Sequence, residues 1–171
     1  VDGFESFEFS QYFPFHLNLA VGAHSHFLYA FTDAELRRKG RMTKVQKVRR
    51  AHLEEKLGLA DPKAIEKEVA ALLQIVLPSG GSVEIRSDEH RAYPRAVRRV
   101  AGLQVSRHRV TSSKRPRNRW NPLFAVNLFD LLIRHSGANH KRETIAFSKR
   151  RQAAVERMAI LQVWRNFMKS F

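Results

Sequence analysis

Segments of strand period and helix period follow one another along this chain in an order that few architectures accommodate. Residues 1–31 carry aromatics at Phe4, Phe7, Phe9, Tyr12, Phe13 and Phe15. The alternating run His16-Leu17-Asn18-Leu19-Ala20-Val21 follows, then a turn at Gly22-Ala23-His24-Ser25 and an apolar run from Phe27 to Phe31. Alternation with turn residues between the runs predicts a three-stranded meander. Residues 37–50 read as a loop leading into a short helix. Ile65, Val69, Leu72, Leu73 and Val76 share one face of a helix over 63–77, which Pro78-Ser79-Gly80-Gly81 breaks. Residues 82–86 form a short strand ending at Ser87-Asp88, with a helix from about Tyr93 to Val100 and a further strand over 103–110. A meander followed by alternating strands and helices gives an α/β fold: a mixed sheet of about five strands with helices on both faces, in one domain spanning 1–171.

Two more helices complete the chain. Asn121-Pro122 starts the first, with Asn as cap and Pro at the first position, and Gly137 ends it. Leu123, Phe124, Val126, Leu128, Phe129, Leu131, Leu132 and Ile133 make this helix apolar nearly all round, which predicts burial. Its polar residues, Asn127, Asp130 and Arg134, stand at offsets 0, 3 and 7 and so fall within an arc of roughly 60°. A narrow polar stripe on a buried helix needs partners. A metal ion or a phosphate would supply them; an Asp130–Arg134 pair at i, i+4 is the structural alternative. The last helix starts near Ser148 and includes Val155, Met158, Ala159, Leu161 and Val163.

Charge selects the partner. Thirty-one Lys and Arg against 16 Asp and Glu give a net charge of +15. A field of that sign attracts nucleic acid before other polyanions. Arg37, Arg38, Lys39, Arg41 and Lys44 lie in one acid-free basic run over 37–50, and Lys114, Arg115, Arg117 and Arg119 lie in a second. Contacts of this kind hold phosphates without reading sequence. Trp120 adjoins the second run; it can pack in the core, the commoner use, or stack on an unpaired base. The absence of cysteine excludes disulfides and Cys-ligated zinc within these residues. No apolar run approaches the ~20 residues of a membrane span. Asp2, Glu5 and Glu8 stand where a basic leader segment would lie. These features predict a cytoplasmic DNA-binding protein with no membrane partner.

Phosphodiester chemistry with two divalent metals needs carboxylates that converge from different elements. Asp2 on the first strand and Asp88 at the end of the fourth are such a pair. Alone, Asp2 is also an ordinary strand-end acid, and Asp88 a turn or cap residue. His90, two residues from Asp88, is a further candidate. The remaining histidines, including His24, His26, His135 and His140, show no zinc-ligand spacing.

At these residues the sequence resembles the DDE transposases of bacterial insertion sequences, in their IS-one-like group. The stretches that carry the resemblance are Val1-Asp2-Gly3-Phe4-Glu5-Ser6-Phe7, Ser87-Asp88-Glu89-His90-Arg91-Ala92-Tyr93, Val126-Asn127 through Arg134, and Arg142-Glu143-Thr144-Ile145-Ala146-Phe147-Ser148-Lys149. The resemblance implies a ribonuclease-H-like catalytic core that cuts and joins DNA with two Mg²⁺ or Mn²⁺ ions held by Asp2 and Asp88. The partners it implies are element ends and target DNA, with self-association on paired ends and a place at the bacterial nucleoid. Counting back from the Arg142 motif puts the third ligand of such enzymes at Asn127, with Arg134 seven residues on as its basic partner. The third position is usually Glu; here it is an amide, and Asp130, one turn along, replaces or assists it. Glu143 and Glu156 compete for the role. The N-terminal DNA-recognition segment common in such enzymes is expected to be absent. A ribonuclease-H-like nuclease or resolvase, and an inactive DNA-binding remnant, are the alternative functions.

Overall fold

The computed structural model describes residues 1–77, 82–100, 105–141 and 146–169. The break at Pro78–Gly81, the strand start at Leu103 and half of the Arg142 motif, Glu143 included, lie outside these residues.

The predicted meander is present. β1 (Asp2–Glu8), β2 (Phe13–Val21) and β3 (Leu28–Glu35) form an antiparallel sheet in the order β1-β2-β3, with Asp2 opposite Leu19 and Phe4 opposite Leu17. β2 is central and covered on both sides. Phe15, Leu17 and Leu19 point into one core, while Asn18 on the other face is equally buried. Asn18 satisfies its amide there: Nδ2 donates to Thr32 Oγ1 at 3.2 Å, and the Thr32 hydroxyl donates to the Glu68 carbonyl at 3.0 Å. A buried polar side chain on a strand that otherwise buries hydrocarbon is thus paid for by hydrogen bonds that fix the helix beneath it.

After β3 come α1 (Lys44–Leu57) and α2 (Ala64–Val76). The helix expected to be short in the basic run is 14 residues long. A capping box explains its start: Thr43 Oγ1 accepts from Gln46 N and the Gln46 side chain accepts from Thr43 N. It buries no residue; side-chain contacts hold it instead. Arg37 donates to both oxygens of Glu54 at 2.8 and 2.9 Å, and the Arg38 and Arg49 guanidiniums lie over the Tyr12 ring. α2, read correctly from its period, buries Val69, Leu72 and Leu73.

β4 (Val83–Asp88), α3 (Ala92–Arg99) and β5 (Val105–Thr111) form a strand–helix–strand unit whose strands pair in parallel. Val69, Leu73, Ile85, Tyr93, Ala96 and Val100 build a second core between α2, α3 and β4. Among the described residues the five strands therefore fall into two hydrogen-bonded sheets rather than the expected single mixed sheet. The sheets meet where β1 begins: Val1 N donates to the Arg86 carbonyl at 2.6 Å. This contact sets β4 beside β1 at the ends that carry Asp2 and Asp88.

α4 (Phe124–Ser136) lies across β1 and β2. It starts two residues later than Asn121-Pro122 predicts. Asn121 Oδ1 accepts from Leu123 N at 2.8 Å, so Asn121 caps the turn that leads into the helix. The helix is not buried all round: Ala125, Val126, Phe129 and Ile133 are buried, but Leu131 is 63% exposed. Gly137 ends it with φ −106°, so no left-handed residue is required. Space is the constraint, because a Cβ there would lie 3.1 Å from both the Ile133 carbonyl and the His140 ring. A short 3₁₀ turn, Ala138–His140, follows. α5 (Arg151–Val163) docks through Arg151, which pairs with Asp33 and Glu35 at 3.0 and 2.6 Å while its N–H donates to Glu8 at 2.7 Å. The chain continues as a π turn, Trp164–Met168.

Candidate active site

Residues from β1, β4 and α4 line one polar cleft of about 450 Å³: Asp2, Asp88, Asn127, Asp130 and Arg134, joined by Arg117 from the loop before α4. Of the residues proposed for chemistry from the sequence, His90 and Glu156 do not line this cleft, whereas Asp2, Asp88, Asn127, Asp130 and Arg134 reach it. Three structural causes bring them together. Asp2 is placed by the first rung of the β1–β2 ladder and the Val1–Arg86 bond. Asp88 is the last residue of β4. The polar stripe of α4 faces the cleft because Val126, Phe129 and Ile133 are held in the core with Phe4 and Leu17.

The local bonds define what each group can do. Gly3 N donates to Asp2 Oδ1 at 2.8 Å, and the Tyr93 hydroxyl reaches the same oxygen at 3.4 Å. Burial raises the Asp2 carboxyl above the usual aspartate range; the Gly3 N–H opposes this, and the charges of Asp88 and Asp130 add to the rise. Like charges thus converge on half-buried Asp2. The Tyr93 phenol is pushed far above its ordinary value, by burial first and then by Asp2 and Asp88, so it stays a neutral donor. Asp88 Oδ1 accepts from His90 N at 2.8 Å. The turn role considered for Asp88 is therefore present alongside its place in the cleft, and His90 contributes through its backbone while its exposed ring contacts Tyr93.

Asp130 and Arg134 form the i, i+4 ion pair foreseen as the structural alternative, at 3.2 Å. The Arg134 guanidinium also lies 5.0 Å over the Phe4 ring. Carboxylate and amide oxygens are the hard donors that Mg²⁺ or Mn²⁺ takes. Asp2, Asp88 and the Asn127 carbonyl fit that donor set. Among the described residues, no group of three His, Asp or Glu is arranged to hold a metal ion, and Asp130 is turned to Arg134 instead. Glu156 lies on α5, exposed, accepting from Gln152 Nε2 at 2.9 Å, and does not line the cleft.

Three lining or supporting residues were not foreseen. Tyr93 sits within a stretch that the resemblance already marked, five residues after Asp88. Asn139 and His140 lie in the 3₁₀ turn, where no periodicity points inward. Asn139 Nδ2 donates to Ser148 Oγ at 2.9 Å, and the His140 ring packs edge-on against Phe4 at 5.4 Å. Burial, with the Arg134 and Arg157 guanidiniums nearby, holds the His140 imidazole down at about 4.

The basic runs are used unequally. Arg37 is engaged by Glu54 and Arg38 by Tyr12, whereas Lys39, Arg41 and Lys44 are exposed. Lys114, Arg115, Arg117 and Arg119 are all exposed. Trp120 is 71% exposed, which overturns core packing as its role. Among the described residues, no helix is long and apolar enough to cross a membrane. No protein-family model, curated protein or solved structure matches the chain.

Proposed function

We propose that the chain is a ribonuclease-H-like catalytic core of the DDE transposase type, which cleaves DNA strands and transfers them with the help of divalent Mg²⁺ or Mn²⁺. One observation carries the reading: three elements far apart in sequence deliver Asp2, Asp88 and the polar stripe of α4 to a single cleft in a chain of net charge +15. The strand arrangement supports it as well, since Val1, just ahead of β1, bonds to Arg86 of β4 and β5 pairs with β4 in parallel.

Asp2 and Asp88 would hold the metal, with Asn127 or Asp130 completing the set. A bound divalent cation supplies Lewis-acid polarisation of the phosphate and a more acidic attacking hydroxyl. The chain's own groups do the positioning. Tyr93 and Gly3 orient one oxygen of Asp2, leaving the other for the cleft. His90 N–H fixes the Asp88 carboxylate in the same way. Arg134 and Arg117 present guanidiniums to a phosphate entering between them and the acids. Exposed Lys39, Arg41 and Lys44 extend the attraction to flanking duplex. Self-association on paired DNA ends belongs to the same reading.

The test is nicking and strand transfer of labelled DNA with pre-cut ends in Mn²⁺ or Mg²⁺. Joined product that disappears in Asp88→Ala, with DNA binding retained, supports the proposal; hydrolysis without joining assigns a nuclease instead. The Asp130–Arg134 pair and the amide at Asn127 favour a second reading, a DNA-binding protein of this fold without catalysis. Metal-independent binding with no nicking under any of these conditions establishes it.

A further inference from the structure

We infer that Trp120, with the Arg119 guanidinium stacked on it, is a platform for an unpaired nucleobase on the loop that lends Arg117 to the carboxylate cleft; the inference rests on the nucleic-acid reading above. The indole is 71% exposed, and the Arg119 guanidinium carbon lies 4.7 Å from its ring centroid. A ring of this size leaves broad apolar area in water, and the charge stacked on it, that of Arg119, is positive.

The loop that carries it is built rather than slack. Trp120 N donates to Asn118 Oδ1 at 3.1 Å, and Arg115 donates to the Trp120 carbonyl at 3.4 Å. Asn121, 6% exposed, donates through Nδ2 to the Pro116 carbonyl at 2.8 Å and through its N–H to the Asn118 carbonyl at 2.9 Å. Both ends of the loop are fastened next to elements that line the cleft, β4 and α4. Ser113 donates through N and Oγ to the Glu89 carboxylate at 3.2 and 3.3 Å, and Glu89 follows Asp88. At the other end Asn121 leads into α4. Arg117, three residues before Trp120, lines the cleft itself.

The arrangement therefore combines a stacking face with phosphate partners on one fixed loop, whose Arg117 lines the cleft with the acids. Single-stranded nucleic acid is bound by such a pairing of aromatic face and basic groove, because every base has a π face and every linkage a charge. A continuous duplex offers its bases edge-on and leaves the platform empty. The preferred ligand is then DNA with an unpaired tail at the end that enters the cleft.

Trp164 is the second of the two tryptophans, so Trp164→Phe leaves Trp120 as the sole indole reporter. Its fluorescence is read while titrating three probes: a single strand, a duplex with a short unpaired tail, and a relaxed closed circular duplex, which has neither ends nor unpaired bases. Quenching by the first two and not by the closed duplex is expected. Trp120→Ala is expected to weaken tailed-DNA binding about tenfold to a hundredfold, to leave closed-duplex binding nearly unchanged, and to be largely rescued by Trp120→Phe. Tailed DNA that binds without quenching, or a Trp120→Ala loss equal on all three probes, overturns the platform while leaving the cleft's function standing. Failure of the unsubstituted protein to bind any of the three overturns both.

Discussion

The Tyr93 hydroxyl donates to Asp2 Oδ1 across 3.4 Å and so ties the second core to the first acid of the cleft. The bond is long, and the phenol's main anchorage is its ring, 3% exposed beside Ile85 and Ala96. Tyr93→Phe is therefore expected to lower stability by no more than about 1 kcal/mol, whereas Tyr93→Ala is expected to cost about 3–5 kcal/mol as aromatic truncations in cores do. Urea unfolding of both variants measures this. A Phe variant as damaging as the Ala variant would show that the hydroxyl, not the ring, holds the site.

The residues of the candidate cleft are more legible in the sequence than the sheet is, and the reason is local chemistry. Period and turn residues report each element's own faces, so β2, α2 and the polar stripe of α4 were legible. Asp2 and Asp88 stand out in the sequence because two-metal chemistry needs carboxylates from different elements and because both fall in stretches that carry the resemblance, one opening β1 and the other closing β4. Whether β1 and β4 zip into one sheet depends on pairing between distant strands, which no local pattern encodes; here they meet at Val1 and Arg86. The exposure of Leu131 and Trp120 has the same origin. Both are apolar by composition, yet neither has an element packed over it. His140 was invisible because a three-residue 3₁₀ turn has too few residues to show a period.

The two faces of α4 make that argument measurable. Ile133 is fully buried and adjoins Arg134, while Leu131 is 63% exposed. Ile133→Ala is expected to cost about 2–5 kcal/mol through lost burial and the cavity left behind. Leu131→Ala should stay within about 0.5 kcal/mol. Denaturant midpoints at equal slope decide it. Equal losses at the two positions would mean that α4 is rotated and its polar stripe does not face the cleft.

Convergent acids should make the folded protein respond to divalent metal. Asp88→Asn keeps an oxygen for the His90 N–H but removes one of the charges that raise the Asp2 carboxyl. The variant is expected to be at least as stable as the parent without metal. The parent should gain about 2.7 kcal/mol in Mn²⁺ at a hundredfold excess over its dissociation constant, and the variant should lose most of that gain. Melting curves with and without Mn²⁺ test this. A metal-induced shift of equal size in both proteins would remove Asp88 from the metal set.

Acid should weaken the fold through His140. Its folded value, held at about 4 by burial and by Arg134 and Arg157, lies below the ~6.5 of an unfolded histidine. The unfolded chain therefore binds the proton first as pH falls. The stability tied to the neutral ring is complete above pH ~6.5 and is lost progressively down to about 4, by up to about 3 kcal/mol. His16 and His108 are shifted in the same direction, so His140→Phe, which keeps a ring against Phe4, should remove only part of the slope. Urea titrations between pH 5 and 8 read it. An unchanged slope in His140→Phe would mean that the imidazole is reached by water in the folded state.

Binding of duplex DNA should sort the basic run by what each cation already touches. Arg41 and Lys39 are exposed, while Arg37 is held by both oxygens of Glu54, which Arg50 also approaches at 3.3 Å. A cation that neutralises a phosphate releases counterions, so its loss lowers the slope of log affinity against log salt by about 0.9. Arg41→Ala and Lys39→Ala are each expected to lower it by about that amount on any DNA sequence. Arg37→Ala should change it less, because the Glu54 carboxylate offsets its charge, and should instead loosen α1, which buries no side chain of its own. Affinity measured across a salt series, with helix content followed by circular dichroism, separates the two effects. A full slope change from Arg37→Ala with α1 intact would mean that DNA displaces Glu54 and that the pair opens on binding.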